Sequence, residues 1–316
     1  MTTRSTPRIA PPHDVWIDTD TAIGVPGADI DDGLALIQAF HSPELRVRGV
    51  SSIFGNAPLE KTHPTACDVV ARFGPPGLRV ARGAAAASER GVPCEAVLAL
   101  ARALRERPLH VIALGPLTNV ASLLELHPEL APRILSIVMV AARRPGQRFV
   151  SHPDQPTPFP DLNFDCDPVA MQILLDADPT LIFAPWEVSS HVWIESADLD
   201  AIETRSPIGA YVAMHARPWL RIWQEQLGAP GFNPFDTLAI AALSHPEWLE
   251  RFECGVWIED GPDDTAPAVL RATGASKPHL LVDPTGRGDL RRAVYCFRPS
   301  EAFKPMLLER LARSAT

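Results

Sequence analysis

Short runs of almost entirely apolar residues alternate with helix-like stretches from Val15 to Ala184, and this alternation constrains the fold most. A strand that is apolar along its whole length is buried on both faces, which is typical of a parallel sheet covered by helices on both sides. The sequence therefore predicts an α/β fold: a single large domain with a mostly parallel central sheet flanked by helices. This domain is expected to span residues 14–316, after a flexible N-terminal segment at residues 1–13. Strands are predicted at 15–17, 47–54, 78–81, 110–114, 134–140 and 181–184, and helices at 34–40, 59–73, 96–104, 118–126, 167–176, 208–227 and 303–312.

The charge balance and the cysteines exclude several classes of protein. The 316 residues carry 29 Lys and Arg against 38 Asp and Glu, a formal net charge of −9. Nucleic-acid binding needs a clustered basic footprint, so such a partner is not expected. No apolar run approaches the roughly 18 residues of a membrane span, and residues 1–13 lack a secretory apolar run. The five cysteines are widely spaced without a CxxC pair, which is typical of free thiols. A cytoplasmic protein with a small-molecule substrate, and with neither a nucleic-acid nor a membrane partner, is predicted.

Five aspartates fall within fifteen residues, between the end of the first predicted strand and the start of the first helix. They are Asp18, Asp20, Asp29, Asp31 and Asp32. An aspartate at a helix start is often only an N-cap, which explains Asp31 or Asp32 but not Asp18 and Asp20 at a strand end. Ligands of open parallel sheets bind at such strand ends. Clustered carboxylates repel one another unless a cation or raised pKa values compensate, and oxygen ligands without His or Cys favour Ca²⁺ or Mg²⁺. A metal site is therefore predicted.

One short motif in this region is similar to that of a phosphatase family. Asp18, Asp20 and Thr21 after a strand resemble the first motif of haloacid dehalogenase-type phosphatases, in which the first Asp is the nucleophile. That family also needs a lysine at a later strand end. The chain has only Lys61, inside a predicted helix, and the late Lys277 and Lys304, so a phosphatase remains the lesser alternative.

Five ordered motifs resemble those of the inosine–uridine-preferring nucleoside hydrolases. The first is the aspartate motif already described, continued by the apolar start of the helix. The second ends a strand in Gly-Asn, the third is a Gly-Pro-Leu-Thr-Asn turn, the fourth contains Asn and Asp-Pro, and the fifth is an Asn-Pro-Phe-Asp segment before a helix. They occupy residues 18–36, 50–62, 113–119, 161–168 and 233–236.

The resemblance implies a metal-dependent hydrolase. In the family one Ca²⁺ is held by aspartates and a main-chain carbonyl, which correspond here to Asp20, Asp32 as a bidentate ligand, the carbonyl of Leu114, and Asp236. Asp20 would also act as the catalytic base. The reaction implied is hydrolysis of the N-glycosidic bond of ribonucleosides or related ribosides to ribose and free base. Its oxocarbenium-like transition state is stabilised by nearby carboxylates. A homodimer or homotetramer is also implied.

The resemblance assigns the substrate contacts too. Asp31 would bind a ribose hydroxyl, Asn56 and Asn163 would contact the sugar, and Asp161 would lie near its 5′ end. Met139 is a further expected substrate contact.

Three departures from the family pattern concern the rest of the site. The segment Thr21–Ile30 is longer than in the compact family motif, so that Asp29 is either an additional ligand or a turn residue. Phe235 replaces a histidine proposed to protonate the leaving base. The base-binding loop expected after the third strand is replaced by residues 84–92. The sugar end of the site is therefore predicted to be retained and the base end rebuilt.

Other side chains are candidates for the base end. Trp219 and Trp223 lie four residues apart on one face of a predicted helix, either as core residues or as a stacking platform for the base. His191 is a possible acid for the leaving group, and Asp18 is a further possible site residue. Because Phe235 cannot donate a proton, a ribose- or nucleoside-binding homologue with weak or no turnover is the main alternative to an enzyme.

Overall fold

Strands and helices alternate along the chain in this computed structural model, which describes residues 11–285 and 290–313. The strands are β1 (His13–Thr19), β2 (Leu45–Ser52), β3 (Val80–Arg82), β4 (Leu109–Ala113), β5 (Ile134–Met139), β6 (Leu181–Phe183), β7 (Leu249–Pro262), β8 (Ser276–Asp283) and β9 (Arg291–Pro299). The helices are α1 (Asp31–Phe40), α2 (Leu59–Phe73), α3 (Glu95–Glu106), α4 (Thr118–Leu126), α5 (Leu162–Cys166), α6 (Pro168–Ala177), α7 (Trp186–Ser189), α8 (Ser196–Glu203), α9 (Pro207–Leu227), α10 (Thr237–Ser244), α11 (Ala268–Ala272) and α12 (Phe303–Leu311).

These strands form one sheet in the order β3-β2-β1-β4-β5-β6-β9-β7-β8. Strands β1 to β6 pair in parallel, and β9 continues the parallel part beside β6. Only β7 runs antiparallel to its neighbours β8 and β9. The predicted α/β fold with a mostly parallel sheet is therefore confirmed for the described residues. Residues 1–10 of the predicted flexible segment lie outside them, and β1 begins at His13.

The antiparallel extension was missed by the sequence analysis. Strand β7 carries charged residues such as Glu250, Arg251 and Glu253, and much of it is exposed or half-buried. A strand that is only partly buried has no continuous apolar run, so its sequence is not distinguished from a loop.

Strand β1 separates two hydrophobic clusters, one on each face of the sheet. Val15 and Ile17 belong to the cluster that includes α1, α9 and α10, whereas Trp16 belongs to the cluster that includes α3 and α4. This division follows from the two-residue period of a strand, and it explains why β1 reads as apolar throughout. None of the described helices is long and apolar enough to cross a membrane.

The position of β1 also determines where a site can form. Its neighbours are β2 on one side and β4 on the other, with Asp18 beside Ser51 and Ala113. The connections from β1 to β2 and from β3 to β4 lead in opposite directions along the sheet, so the carboxyl end of β1 lies at a switch point, where ligands bind in such sheets.

Candidate active site

Three buried carboxylates meet beyond the carboxyl end of β1. Ligand atoms of Asp31, Asp32 and Asp236 all lie within 4.8 Å of one another. Asp31 and Asp32 form the first turn of α1, and Asp236 is the N-cap residue of α10. The amino ends of two helices therefore meet at this point, and their dipoles favour negative charge there.

Asp32 is held by three donors. Its Oδ1 accepts hydrogen bonds from the Thr19 hydroxyl and from the backbone N–H of Asp20 at 3.1 Å, and its Oδ2 accepts one from Asn56 Nδ2 at 3.0 Å. The side chain is fully buried. These bonds fix the carboxylate against the strand end, so its position is set before any ligand binds.

Asp20 lies beside this group, and its carboxylate is also fixed. Its Oδ2 accepts the backbone N–H of Asn56 at 2.6 Å. The loop comes this close because residue 55 is glycine with φ +151°, a conformation that side chains disfavour. A Cβ atom on Gly55 would lie 1.9 Å from Asp20 Oδ2. The Gly-Asn pair therefore brings a backbone donor onto the carboxylate of Asp20.

Burial and mutual repulsion of these carboxylates favour the binding of a cation. Burial raises the pKa of Asp20, Asp31 and Asp236 well above the ordinary value, and the charges of neighbouring carboxylates raise these pKa values further. Asp236 Oδ2 is buried and has no hydrogen-bond partner among the described residues. An unpartnered buried carboxylate oxygen facing other carboxylates is costly unless a proton or a metal ion compensates it. The donor set consists of oxygen only, which suits a hard divalent cation.

Asn163 and Leu114, two further residues of the predicted site, line the cavity. Asn163 Nδ2 donates to the carbonyl of Leu114 at 2.5 Å and to that of Val140 at 3.1 Å, and both Asn163 and Leu114 line the same cavity as Asp31 and Asp236. The carbonyl expected as a main-chain ligand therefore lies at the cavity wall.

Asp161 lines the cavity from the loop before α5. Its Oδ2 accepts the backbone N–H of Ala142 at 2.9 Å, and burial together with the charge of Asp165 raises its pKa to about 7. Ala142 has φ +79°, an unfavourable conformation for a residue with a side chain. Strain of this kind persists where the surroundings fix the backbone, as this hydrogen bond does here.

Asp29 is a turn residue that also lines the cavity. Its Oδ1 accepts the backbone N–H groups of Ile30 at 2.7 Å and Asp31 at 3.3 Å, directly before α1. Burial raises the pKa of Asp29 to about 7. The segment Thr21–Ile30 therefore adds a further carboxylate to the cavity rim and shapes the start of the helix that carries Asp31 and Asp32.

Aromatic side chains form much of the remaining wall of the cavity, which has a volume of about 540 Å³. We call them the aromatic wall; its members are Phe149, Phe159, Trp186, Trp219, Trp223 and Phe235. Trp223 packs against three other rings of the wall, with centroid distances of 5.7 Å to Phe159, 6.0 Å to Phe235 and 6.4 Å to Trp219. Trp219 and Trp223 both line the cavity, and Trp223 is also a core residue, whereas stacking of a base on them stays a prediction.

Three members of this wall, Phe149, Phe159 and Trp186, are not among the residues predicted from the sequence. Phe149 and Phe159 lie in the Pro-rich loop between β5 and α5, and Trp186 begins α7. Phe149 stacks on Trp186 at 5.2 Å. The signal available in the sequence was the presence of aromatic residues in an otherwise polar, proline-rich loop that ends at Asp161.

Five candidates are not part of the cavity wall: Asp20 and Asp32, which are buried next to Asn56, and Asp18, Met139 and His191. Asp18 is buried beneath the site, where its Oδ1 accepts hydrogen bonds from Ser51 Oγ at 2.5 Å and Asn119 Nδ2 at 2.9 Å. The side chain of Met139 packs in the core on the α3–α4 face of the sheet. His191 lines a different cavity, of about 750 Å³, near Arg298. The expectation that His191 lies near the site is therefore wrong, because His191 follows α7 in a turn whose side chains line this second cavity.

The lysines are likewise placed elsewhere. None of Lys61, Lys277 and Lys304 lines the acidic cavity. Lys277 pairs with Asp165, and Lys304 pairs with Asp198 at 2.8 Å. The lysine that a haloacid dehalogenase-type site requires is therefore absent from the cavity wall as far as the chain is described.

Comparisons with known proteins agree with this geometry. Residues 15–283 match the model of the family described as inosine-uridine preferring nucleoside hydrolase. The chain is 28% identical over 311 residues to the pyrimidine-specific ribonucleoside hydrolase RihA of Photobacterium profundum, which covers 89% of this chain and 95% of that protein. Among solved structures, a plant nucleoside hydrolase, the PpNRh1 enzyme, superposes with a TM-score of 0.78 at 21% identity, over 96% of this chain and all of the other. The purine-preferring ribonucleoside hydrolase of Gardnerella vaginalis gives 0.77 at 18% identity, over 95% and 98% of the two chains.

Proposed function

The chain belongs to the inosine-uridine preferring nucleoside hydrolase family and is therefore an N-ribosyl hydrolase, and we propose that it depends on Ca²⁺ held by the buried aspartates. The observation that carries this proposal is the carboxylate group of Asp31, Asp32 and Asp236, within which one buried oxygen lacks a partner. A hard divalent cation satisfies both the charge and the unpartnered oxygen.

The proposed ligands are Asp20, Asp32, Asp236 and the carbonyl of Leu114. Asp31 is near enough to the group to serve either as a ligand or, as we propose, as an acceptor for a ribose hydroxyl. When bound, the cation supplies positive charge for the ribose diol and acidifies a water molecule. Its two positive charges also offset the repulsion that raises the pKa of these aspartates.

Asp20 is proposed as the catalytic base. Its carboxylate lies next to Asp32 at the sugar end and is fixed by the backbone N–H of Asn56. In hydrolysis the bond between C1′ and the base nitrogen breaks, and water adds to C1′ while a carboxylate takes its proton. The positive charge that develops on the ribose is stabilised by the surrounding aspartates, which are already oriented.

The remaining cavity residues divide between sugar and aglycone. Asn56, Asn163 and Asp161 present polar groups at the sugar end, where the ribose hydroxyls need partners. The aromatic wall offers ring faces, on which a planar base stacks. Phe235, which stands where the family has a histidine, therefore affects departure of the base and not binding of the ribose.

A panel of three substrate types tests the proposed function. Rates are measured with p-nitrophenyl β-D-ribofuranoside, whose leaving group needs little protonation, with inosine and uridine, and with p-nitrophenyl phosphate, each with and without added Ca²⁺ after chelation. We expect Ca²⁺-dependent hydrolysis of the ribosides and none of the phosphate ester. Hydrolysis of the phosphate ester alone would support the phosphatase alternative, and ribose binding without turnover would support a binding homologue.

Calcium affinity is expected to rise with pH. Because burial and mutual repulsion raise the pKa of the site aspartates, that of Asp29 to about 7, the metal-free site holds protons below neutrality. Ca²⁺ must displace them, so its affinity should increase with pH, by up to about tenfold per pH unit for each proton displaced. As the pH rises over the same range, the free energy of unfolding of the metal-free protein should fall. The reason is that the pKa values of these aspartates are higher in the folded than in the unfolded protein.

Calorimetry at pH 5.5, 6.5 and 7.5 measures this dependence. The histidines whose pKa is lowered, His41, His63, His110, His191 and His215, do not line the cavity, so they do not produce the effect. A dissociation constant that is the same at all three pH values would contradict the proposed ligand set. A cytoplasmic location and a homodimer or homotetramer stay predictions from the sequence.

A further inference from the structure

The aromatic wall provides no acid for a leaving base. Among the described residues that line the cavity, the titratable side chains are Asp29, Asp31, Asp161 and Asp236. Asp31 and Asp236 belong to the proposed metal group, Asp29 lies at the start of α1, and Asp161 is proposed at the sugar end, so none of the four is assigned to the leaving base. No histidine, tyrosine, cysteine, lysine, arginine or glutamate is part of this described lining.

The missing acid matters because of the charge on the leaving nitrogen. When the C1′–N bond of a neutral nucleoside breaks, the electron pair goes to the nitrogen, and the base departs as an anion unless it is protonated. Protonation by a positioned acid contributes about 10²–10⁴-fold to the rate. An aglycone whose glycosidic nitrogen is already quaternary and cationic takes the same electron pair and departs as a neutral molecule. Such a substrate needs no acid.

The same wall is suited to bind a cation. Cations are attracted to the faces of aromatic rings within about 6 Å, most strongly to tryptophan, and aromatic cages bind quaternary nitrogen in this way. The wall contains two tryptophans, Trp219 and Trp223, and the rings of Phe159, Phe235 and Trp219 pack against Trp223 at centroid distances of 5.7 to 6.4 Å while all four residues line the cavity.

The charge of the cavity favours a cationic substrate too. Besides the four aspartates that line it, Asp20 and Asp32 are buried next to Asn56, and even with Asp29 and Asp161 protonated the remaining four carboxylates exceed the two positive charges of one Ca²⁺. No cationic side chain is part of the described lining.

We propose that the preferred substrates of this enzyme are ribosides whose aglycone is permanently cationic at the glycosidic nitrogen, of the N-ribosylpyridinium class. This inference rests on the proposed function and names its substrate class. In the step, the C1′–N bond breaks with its electron pair moving to the ring nitrogen, which gives a neutral pyridine. Water adds to C1′ and loses one proton, first to Asp20 and then to solvent. The products are ribose, the neutral heterocycle and one proton.

Comparing kcat/KM among ribosides tests the proposal on the unmodified enzyme. The probes are nicotinamide riboside as the pyridinium substrate, uridine and inosine as neutral nucleosides, and p-nitrophenyl β-D-ribofuranoside as a neutral riboside with a good leaving group. We expect nicotinamide riboside to exceed uridine and inosine by at least about 100-fold, the lower value of an acid's contribution. A kcat/KM for either neutral nucleoside equal to or above that for nicotinamide riboside would overturn the proposal. Failure of the proposed function looks different, because p-nitrophenyl riboside would then not be hydrolysed either.

Substitution of Trp219 tests the cation-binding part. Trp219→Leu should raise KM for nicotinamide riboside about tenfold and that for the uncharged p-nitrophenyl riboside less, because only the first loses a cation–π contact. Trp257→Leu is the matched control, since Trp257 lies on β7, bonds to Glu259 and is not part of the cavity wall. An unchanged KM for nicotinamide riboside in Trp219→Leu would contradict a cation–π contact with Trp219.

Discussion

Replacing Asp32 with alanine is expected to abolish Ca²⁺ binding and riboside hydrolysis together. Asp32 is the residue on which the site converges, since it accepts hydrogen bonds from Thr19, Asp20 and Asn56 and lies in the carboxylate group with Asp236. Its removal takes away a proposed bidentate ligand and the acceptor of three hydrogen bonds, among them that of the buried N–H of Asp20. We expect kcat/KM for p-nitrophenyl riboside to fall by about 10³-fold or more, as for loss of a major electrostatic group.

Titration calorimetry with Ca²⁺ and steady-state kinetics measure the two effects on the same preparation. Asp68→Ala is the matched control, because Asp68 is an exposed aspartate on α2 that pairs with Arg72. Such surface pairs contribute at most about 1 kcal/mol, so that variant should keep both Ca²⁺ affinity and rate. An Asp32→Ala protein that binds Ca²⁺ with the affinity of the wild type would exclude Asp32 as a ligand.

A second substitution separates loss of the metal from loss of the fold. Asp32→Asn keeps the size of the side chain and removes a charge that raises the pKa of Asp20, Asp31 and Asp236 by repulsion. We expect its metal-free form to unfold near the temperature of the metal-free wild type. Added Ca²⁺ should raise the unfolding temperature of the wild type alone, because a ligand stabilises only a native state that binds it.

Gly55→Ala is expected to lower kcat/KM by about 100-fold or more. The added Cβ would lie 1.9 Å from Asp20 Oδ2 and 2.9 Å from Pro116 Cδ, and the backbone there has φ +151°. Either the carboxylate of Asp20 or the loop that carries Asn56 must move to relieve this contact. A displacement of about 1 Å at a reacting group costs on the order of 10²-fold in rate.

The kinetic assay with p-nitrophenyl riboside detects this effect, and thermal unfolding accompanies it. Gly77→Ala controls for backbone strain, since Gly77 has φ +81° but a Cβ there would meet no atom within 4 Å. Both variants should lose stability, whereas only Gly55→Ala should lose activity. Wild-type kcat/KM in Gly55→Ala would mean that the position of Asp20 does not limit the reaction.

The sequence predicted the acidic part of the cavity better than its aromatic part. Asp20 after β1, Asn56 after β2 and Asp32 at the start of α1 are joined by hydrogen bonds. Spacing within one strand–loop–helix unit is a local property, and the strand end brings such residues together in any parallel sheet. The aromatic part depends on Phe149, Phe159 and other residues from separate loops, whose meeting no local period encodes.

His191 and Met139 show the same limit. Each lies near a strand end or its following loop in the sequence, but His191 faces another cavity and Met139 is a core residue. One residue of difference in a strand exchanges its two faces, and a single turn redirects a following side chain. Chemical type and position along the chain do not determine the direction of a side chain.

The sequence by itself determined the alternating α/β fold and the acidic strand end, because apolar periodicity and residue type report burial and charge directly. The family resemblance already implied that Asp236 joins Asp32, whereas only the tertiary structure decided that Phe159, Trp219 and Phe235 pack around Trp223 in one wall. These contacts join segments far apart in sequence, and they arise from the packing of α10 against α1 and of α9 within the same hydrophobic cluster rather than from any local pattern.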